Sequence, residues 1–316
     1  MSTIIPQFSD IQDAHNRIKS FIHKTPVLSS NSINEILNIN LSFKCENFQK
    51  VGAFKFRGAT NAVRLLDKKE VEKGVTTHSS GNHAAALSLA AKQLGVPAHI
   101  VMPTSAPEIK KKAVEGYGAK ITFCEPTLQA REETLRIVQS KTGATFIHPY
   151  DNFNVICGQG TSAKELLEEV PDLDVIIAPI GGGGLMSGTV ISAKSINPEI
   201  KVYGAEPLNA DDAFRSFKQG VFIPAGPPNT IADGLLTSLS PLTFQIIREN
   251  LDDILTAREE TIVEAMRMIW ERMKIIVEPS AAVPLAAIIE NKYLFKGKKI
   301  GLIVSGGNVD LNNLPF

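Results

Sequence analysis

Short apolar runs alternate with amphipathic stretches along most of this chain, and no other feature limits its possible folds so sharply. GVTTHSS (74–80) is a β-branched run, and NHAAALSLAAKQLG (82–95) is alanine-rich and closes on a glycine. The pair predicts a strand followed by a glycine-capped helix. AHIVMP, APEIKKKAVEGYG, AKITFCEP, REETLRIVQSKTG and TFIHPY continue the rhythm to Tyr150. It then restarts with SAKELLEEV, DVIIAPI, LMSGTVISAKSI and KVYGAEP, and KKIGLIVSGG (298–307) adds a late apolar run. Fully apolar strands separated by helices indicate parallel sheets covered on both faces. Two such series predict two α/β domains sharing a cleft, with active residues in loops at the carboxyl ends of strands.

Bulk properties exclude more than they identify. The 316 residues include 33 basic and 33 acidic side chains, so no basic field marks a nucleic-acid or membrane-surface partner. No apolar run approaches the roughly 20 residues of a membrane helix, and MSTIIPQFSD lacks the plan of a signal peptide. Cys45, Cys124 and Cys157 are odd in number and in no metal-ligand spacing. That usage fits a reducing cytoplasm.

Five segments carry chemistry. PIGGGGLMSGT (179–189) sets Gly181, Gly182, Gly183 and Gly184 between an apolar strand and a helix. Bare backbone N–H groups at a helix start can cradle a phosphate, of a nucleotide or of a cofactor. The pattern is not GxxxxGK[ST], which disfavours a P-loop. In NFQKVGAFKFRGA (47–59), Lys55 lies between Phe54 and Phe56. A Schiff-base lysine must be neutral part of the time, and burial lowers its pKa; the alternative is a surface lysine whose neighbours bury. Lys50 and Arg57 are its expected solvated counterparts. THSSGNHAAA (77–86) offers hydroxyls and an amide at a strand-to-helix turn, where Ser80 and Asn82 could equally be helix caps. No nucleophile elbow accompanies His83, so acyl transfer is disfavoured. GAEPLNADDAF (204–214) brackets a turn with Glu206 and Asp212, either a hard-cation site or a solvated acidic turn. In VSGGNVD (304–310), Ser305 follows a buried strand and could reach a ring nitrogen.

Taken in order, these motifs resemble the serine racemase and serine/threonine dehydratase group of fold-type II pyridoxal-phosphate enzymes. The resemblance runs from HKTPVLSS through KCENFQKVGAFKFRGA, SSGNH, GQGTSAKE, GGGGLMSG, IADG and WERMKIIVEPS to VSGGNVD, and is strongest to the eukaryotic racemases. It implies a tryptophan synthase β-like fold, with a large cofactor domain (1–74 and 149–316) and a small domain (75–148). It implies that Lys55 carries pyridoxal 5′-phosphate and moves the α-proton, with Ser80 facing it across the substrate. Phe54, Asn82, the four glycines, Leu185, Gly234 and Ser305 are the implied cofactor contacts. Ser79, Gly81, His83, Arg131, Tyr150 and Thr237 are the implied substrate contacts. Glu206, the Ala210 carbonyl and Asp212 match a site for magnesium, calcium or manganese. Ser30, Lys50, Tyr117, Lys274 and Asn308 match an ATP site between the subunits of a homodimer.

The expected activity is interconversion of L- and D-serine, with elimination of the β-hydroxyl from serine or threonine. Two departures bear on it. Tyr150 stands where animal racemases have asparagine, and Ala85 replaces a glutamine of the nucleotide site. A 3-hydroxyaspartate or threonine dehydratase with little racemisation is therefore a second expectation, and a non-catalytic nucleotide- or metal-binding relative a third. With the sequence ending shortly after VSGGNVD, the regulatory domain of biosynthetic threonine deaminases is not expected.

Overall fold

The apolar runs form two sheets, with helices packed on their faces. The computed structural model describes residues 4–79, 81–106 and 108–316. Ten strands are seen among these residues: β1 (Val27–Leu28), β2 (Asn40–Cys45), β3 (Val75–His78), β4 (Ala98–Pro103), β5 (Lys120–Cys124), β6 (Thr145–Phe146), β7 (Val175–Pro179), β8 (Lys201–Pro207), β9 (Asp253–Ala257) and β10 (Lys299–Val304). One sheet has the order β1-β2-β10-β7-β8-β9 and the other β5-β4-β3-β6. All neighbours are parallel except β1 and β2. The second sheet draws every strand from residues 75–146.

Parallel strands buried on both faces need apolar side chains at every position, not alternate ones. β7 shows this directly: all five of its residues, VIIAP, are buried. One face of the larger sheet packs Phe43, Ile177, Leu302 and Val304 against the helices Glu259–Met273 and Pro279–Glu290. The other packs Ile176, Val202 and Ile303 against the helices Phe153–Glu169 and Gly184–Ile196. Each fully buried aliphatic side chain contributes about 1.5–3 kcal/mol. The smaller sheet is covered on one side by the helix Asn82–Leu94, on which the helix Lys55–Arg64 packs in turn, with Phe56, Leu87 and Ile100 in one apolar cluster.

Helix limits differ from the expected ones where polar residues are buried. The run SAKELLEEV is only the second half of a helix spanning Phe153–Glu169. Its first half is buried from Val155 on, although GQGT (158–161) there is rich in glycine and polar groups. Lys55 itself opens a helix, Lys55–Arg64, eight of whose ten residues are buried. Among the described residues no helix is long and apolar enough to cross a membrane.

Candidate active site

The carboxyl ends of β3, β7 and β10 converge on a cavity of about 410 Å³, lined by residues of both sheets. Lys55 enters it from the first turn of its helix. Its Nζ donates to the Pro149 carbonyl at 3.0 Å and lies 5.0 Å from the centroid of the Phe54 ring. Burial pushes its pKa down to about 8, partly offset by the Glu278 carboxylate. What exposure it has is toward the cavity. The surface-lysine alternative therefore fails, and the amine is poised between its two protonation states near neutral pH.

Arg57, expected to be solvated, is instead completely buried. Its guanidinium donates to both oxygens of Glu46 at 2.7 and 2.8 Å and to both oxygens of Glu165 at 2.7 and 2.8 Å. Lys44 donates to Glu165 at 2.8 Å, completing a quartet of two cations and two anions. Burial alone would raise Glu165, yet Arg57 and Lys44 hold it down at about 2. The Gly58 N–H donates to the Gln159 side chain at 3.1 Å, and Arg57 also reaches the Thr161 hydroxyl. The GQGTSAKE segment thus supplies the sockets for the helix that begins at Lys55. Lys50 is not free either, since its amine donates to the Phe21 carbonyl at 2.6 Å.

The four glycines form a buried loop from β7 into the helix Gly184–Ile196. Gly183 holds φ +83°, and a Cβ on Gly182 would lie 2.2 Å from the Tyr150 ring. No side chain caps this helix, so its first N–H groups are left for an anion. Leu185 and Gly234 also line the cavity, and the Gly234 N–H donates to the Ser280 hydroxyl at 2.9 Å. Ser305 follows β10 directly, is 3% exposed, and reaches the same cavity. Its carbonyl accepts the Phe54 N–H at 3.0 Å, which ties it to the Lys55 segment. These features fit pyridoxal phosphate: a glycine cradle for the phosphate, an amine of lowered pKa for the aldehyde, and a hydroxyl for the ring.

On the opposite wall, Asn82 is the first residue of its helix, and Gly81, without a capping side chain, takes the N-cap position. The capping alternative for Asn82 is thereby set aside. Its amide donates to both Glu278 oxygens at 2.9 and 3.2 Å, and its carbonyl oxygen accepts from Asn308 at 2.9 Å. Glu278, not singled out from the sequence, is buried, and desolvation with the nearby Asp233 raises it to about 7. Ser79, Gly81 and His83 line the cavity beside it. The His83 ring is buried against the Ile147 carbonyl, 3.1 Å from Nε2, and desolvation lowers its pKa to about 3. It is therefore neutral at physiological pH. Ser80 lies outside the described residues. Arg131, Tyr150 and Thr237 line the outer cavity, where Tyr150 stands edge-on to His148 at 4.5 Å.

Two expected sites lie elsewhere. Glu206 and Asp212 are buried, 1% and 3% exposed, so they are no solvated turn. Glu206 accepts the Ala213 and Phe214 N–H groups at 3.2 and 2.7 Å, whereas one Asp212 oxygen is buried without a partner. Burial raises both carboxyls. Two enclosed acids near the buried Ala210 fit a hard cation, although no three acidic, histidine or cysteine side chains gather among the described residues. Of the expected nucleotide residues, Tyr117 and Asn308 line a second cavity of about 600 Å³ that backs onto Asn82, and Ala85 lines it too. Ser30 caps the helix Asn31–Leu37, Lys50 is engaged as described, and Lys274 is the left-handed C-cap of Glu259–Met273; none of the three lines that cavity.

Known proteins resemble the whole chain, not the site alone. The profile of the pyridoxal-phosphate dependent enzyme family matches residues 18–306. A β-hydroxyaspartate dehydratase of Paracoccus denitrificans is 52% identical over 312 residues, covering 99% of each chain. A serine racemase of Dictyostelium discoideum is 53% identical over 309 residues, covering 96% of this chain and 95% of that one. The structure of maize serine racemase superposes with a TM-score of 0.96 at 48% identity, covering 98% of this chain and 95% of that one. Fold, cavity and these likenesses agree: the chain belongs to the pyridoxal-phosphate-dependent enzyme family.

Proposed function

We propose that this enzyme removes the α-proton of small hydroxy amino acids, interconverting L- and D-serine and eliminating the β-hydroxyl of serine or threonine. The observation that carries the reading is Lys55, an amine lowered to about 8 inside a cavity that also holds the glycine cradle and Ser305. Bound pyridoxal phosphate supplies an electron sink for the pair left at Cα when its proton departs. Lys55 takes that proton from one face. Ser80 is assigned the other face, where a hydroxyl can deliver a proton and complete inversion. Ser305, a neutral hydroxyl, partners the ring nitrogen without adding charge. The N–H groups at the start of Asn82–Leu94 receive the α-carboxylate, as anions favour helix N-termini. Asn82, oriented by Glu278 and Asn308, faces the ring oxygen. Loss of the β-hydroxyl leads to pyruvate from serine or 2-oxobutanoate from threonine, with ammonia.

The same reading assigns residues 75–148 to a small domain carrying the substrate wall, with 1–74 and 149–316 forming the cofactor domain. It assigns a magnesium, calcium or manganese ion to Glu206, Ala210 and Asp212, and ATP to the interface of a homodimer, where Tyr117 and Asn308 already share a cavity.

A dehydratase with little racemisation is the second reading, and Tyr150 favours it. Its ring packs against Gly182, and its Cβ and backbone against Gly184, beside the glycine loop. Chiral analysis of products from L-serine and D-serine separates the two. Wild type is expected to interconvert the enantiomers, and Ser80→Ala to lose inversion while keeping dehydration of L-serine. Pyruvate without D-serine from wild type would select the dehydratase. Borohydride reduction of the yellow enzyme is expected to fix the pyridoxyl group on Lys55, and a label elsewhere would overturn the assignment. Chelation is expected to lower the melting temperature of wild type and leave Asp212→Asn unchanged.

A further inference from the structure

Four successive glycines have wide backbone freedom, so a fixed cradle at residues 181–184 needs something outside the loop to hold it. The helix Pro241–Asn250 makes a contact that does so. Its Thr243 is completely buried and lines no part of the cavity, standing behind the glycine loop. The Thr243 hydroxyl donates to the Gly182 carbonyl at 3.0 Å. A hydroxyl has one proton to give and two lone pairs to receive. The Ser240 N–H donates to Thr243 Oγ1 at 2.8 Å, and the Ser240 hydroxyl stands 3.1 Å from the same oxygen. The Ser240 carbonyl, at 3.3 Å, is a more distant acceptor than Gly182. The proton of Thr243 is therefore directed to the loop.

That bond decides which way a peptide faces. In a planar trans peptide the C=O and the N–H point to opposite sides. With the Gly182 carbonyl fixed toward Thr243, the Gly183 N–H turns away from it, to the side where both glycines line the cavity. Among the described residues that N–H has no acceptor. Reversing the peptide would put a carbonyl oxygen there instead, and an oxygen repels a phosphate. The loop is also gripped sterically. A Cβ on Gly182 would lie 2.2 Å from the Tyr150 ring, and one on Gly183 would lie 2.7 Å from Leu239 and 2.8 Å from the Thr243 Cβ. Packing sets the position of the loop, and the hydroxyl sets the direction of its donor.

We propose that Thr243 is a positioning residue for the cofactor phosphate: its hydroxyl holds the Gly182 carbonyl outward and so aims the Gly183 N–H at the phosphate. A helix that lines no part of the cavity thereby sets the affinity for the phosphorylated cofactor. The assignment rests on the glycine loop being the phosphate site. Donors held in place before the anion arrives need no reorganisation when it binds.

The test compares the binding of pyridoxal 5′-phosphate with that of pyridoxal, which lacks the phosphate, to the full chain freed of cofactor. Absorbance of the bound ligand follows both. Thr243→Val keeps the shape and removes the hydroxyl. It should lose about 10- to 100-fold in affinity for pyridoxal 5′-phosphate, as a hydrogen bond to a charged group is lost, and no more than about threefold for pyridoxal. Thr243→Ser, which restores the donor, should bind both ligands within about threefold of wild type. Ser240→Ala is the control for the helix itself, because Ser240 Oγ accepts the Thr243 N–H as its cap. It should lower the melting temperature and leave the affinity for pyridoxal 5′-phosphate within about threefold of wild type. Should Thr243→Val not fold, Thr243→Cys, a weak donor of similar size, is read in its place. Equal losses for the two ligands, or a loss in Ser240→Ala matching that in Thr243→Val, would overturn the proposal in favour of a structural role. So would a Thr243→Val that keeps the full wild-type preference for the phosphate. Wild type that binds pyridoxal as tightly as its phosphate removes the phosphate from the glycine loop, and this inference with it.

Discussion

The wall of the cleft built on the six-stranded sheet holds its groups rigidly: the glycine loop is buried, Ser305 is 3% exposed, and Lys55 stands on a helix clamped by the Arg57 quartet. The wall built on the four-stranded sheet is looser. Asn82 crosses to Glu278, but the ion pair at the mouth, Lys110–Asp233, has a half-exposed aspartate. The difference matches the two tasks. A cofactor is kept through every turnover and rewards fixed geometry, whereas substrate must enter and product leave. The helix Lys55–Arg64 packs against both Asn82–Leu94 and Phe153–Glu169, so the lysine sits where the two walls meet.

The strongest way to break this comparison is at Lys55. Lys55→Met should reduce turnover of any hydroxy amino acid to background, because the anchor for the cofactor and a proton carrier go together. Residual turnover within tenfold of wild type would place the chemistry elsewhere in the cavity.

Next comes Arg57. A buried ion pair broken by removing one partner costs about 3–5 kcal/mol, because the remaining charges are left unneutralised in the interior. Arg57→Met should therefore lower the melting temperature by roughly 10 °C. If the quartet fixes the Lys55 helix, the variant should also bind cofactor less tightly at temperatures where it remains folded. Wild-type stability in Arg57→Met would mean that the rigid wall owes nothing to these charges.

Arg57 also marks where the sequence ceases to be legible. The strands and the glycine loop could be read because their signals are local: apolar runs, and four glycines between a strand and a helix. Arg57 was expected in solvent because a charged residue usually is, and its acids lie 11 and 108 residues away in the chain. Only the fold brings them together. Glu278 escaped for the same reason. It sits in WERMKIIVEPS with nothing nearby to mark it, and its partner Asn82 is 196 residues distant. Asn82 was legible as a polar residue at a strand-to-helix turn, but not as one that leaves capping to Gly81. The half-helix of glycines and hydroxyls before SAKELLEEV was hidden because its apolar period is broken by the residues that receive Arg57 and Gly58.

A smaller effect, of opposite sign, is expected from the lysine amine in cofactor-free protein. The folded-state pKa of Lys55 is depressed to about 8 from 10.5, chiefly by burial. The folded form thus gives up its proton before the unfolded form does. The cost of burying the charge is present in full below about pH 8 and fades as pH rises toward 10.5. Cofactor-free Lys55→Met should therefore be more stable than cofactor-free wild type at pH 7, by up to about 3 kcal/mol. The gain should shrink between pH 8 and 10.5. A constant difference across that window would trace the gain to packing, not to the charge.

The smallest effect is expected at the mouth of the cleft, and it completes the contrast with Arg57. Lys110 and Asp233 also form an ion pair, but Asp233 is 48% exposed. Solvent screens such a pair, and ordering a long side chain offsets part of what remains, so exposed pairs contribute about 0–1 kcal/mol. Lys110→Ala should accordingly shift the melting temperature by no more than a few degrees. The pair nonetheless joins the helix Glu108–Gly116, beside the smaller sheet, to the segment between the helices Asp212–Gln219 and Pro241–Asn250 that carries Gly234 and Thr237. Its loss should loosen the substrate wall without touching the cofactor wall, raising KM for the amino acid while cofactor affinity stays at the wild-type value. A fall in cofactor affinity comparable to that in Arg57→Met would mean that the two walls are one rigid unit, and the distinction between them would not hold.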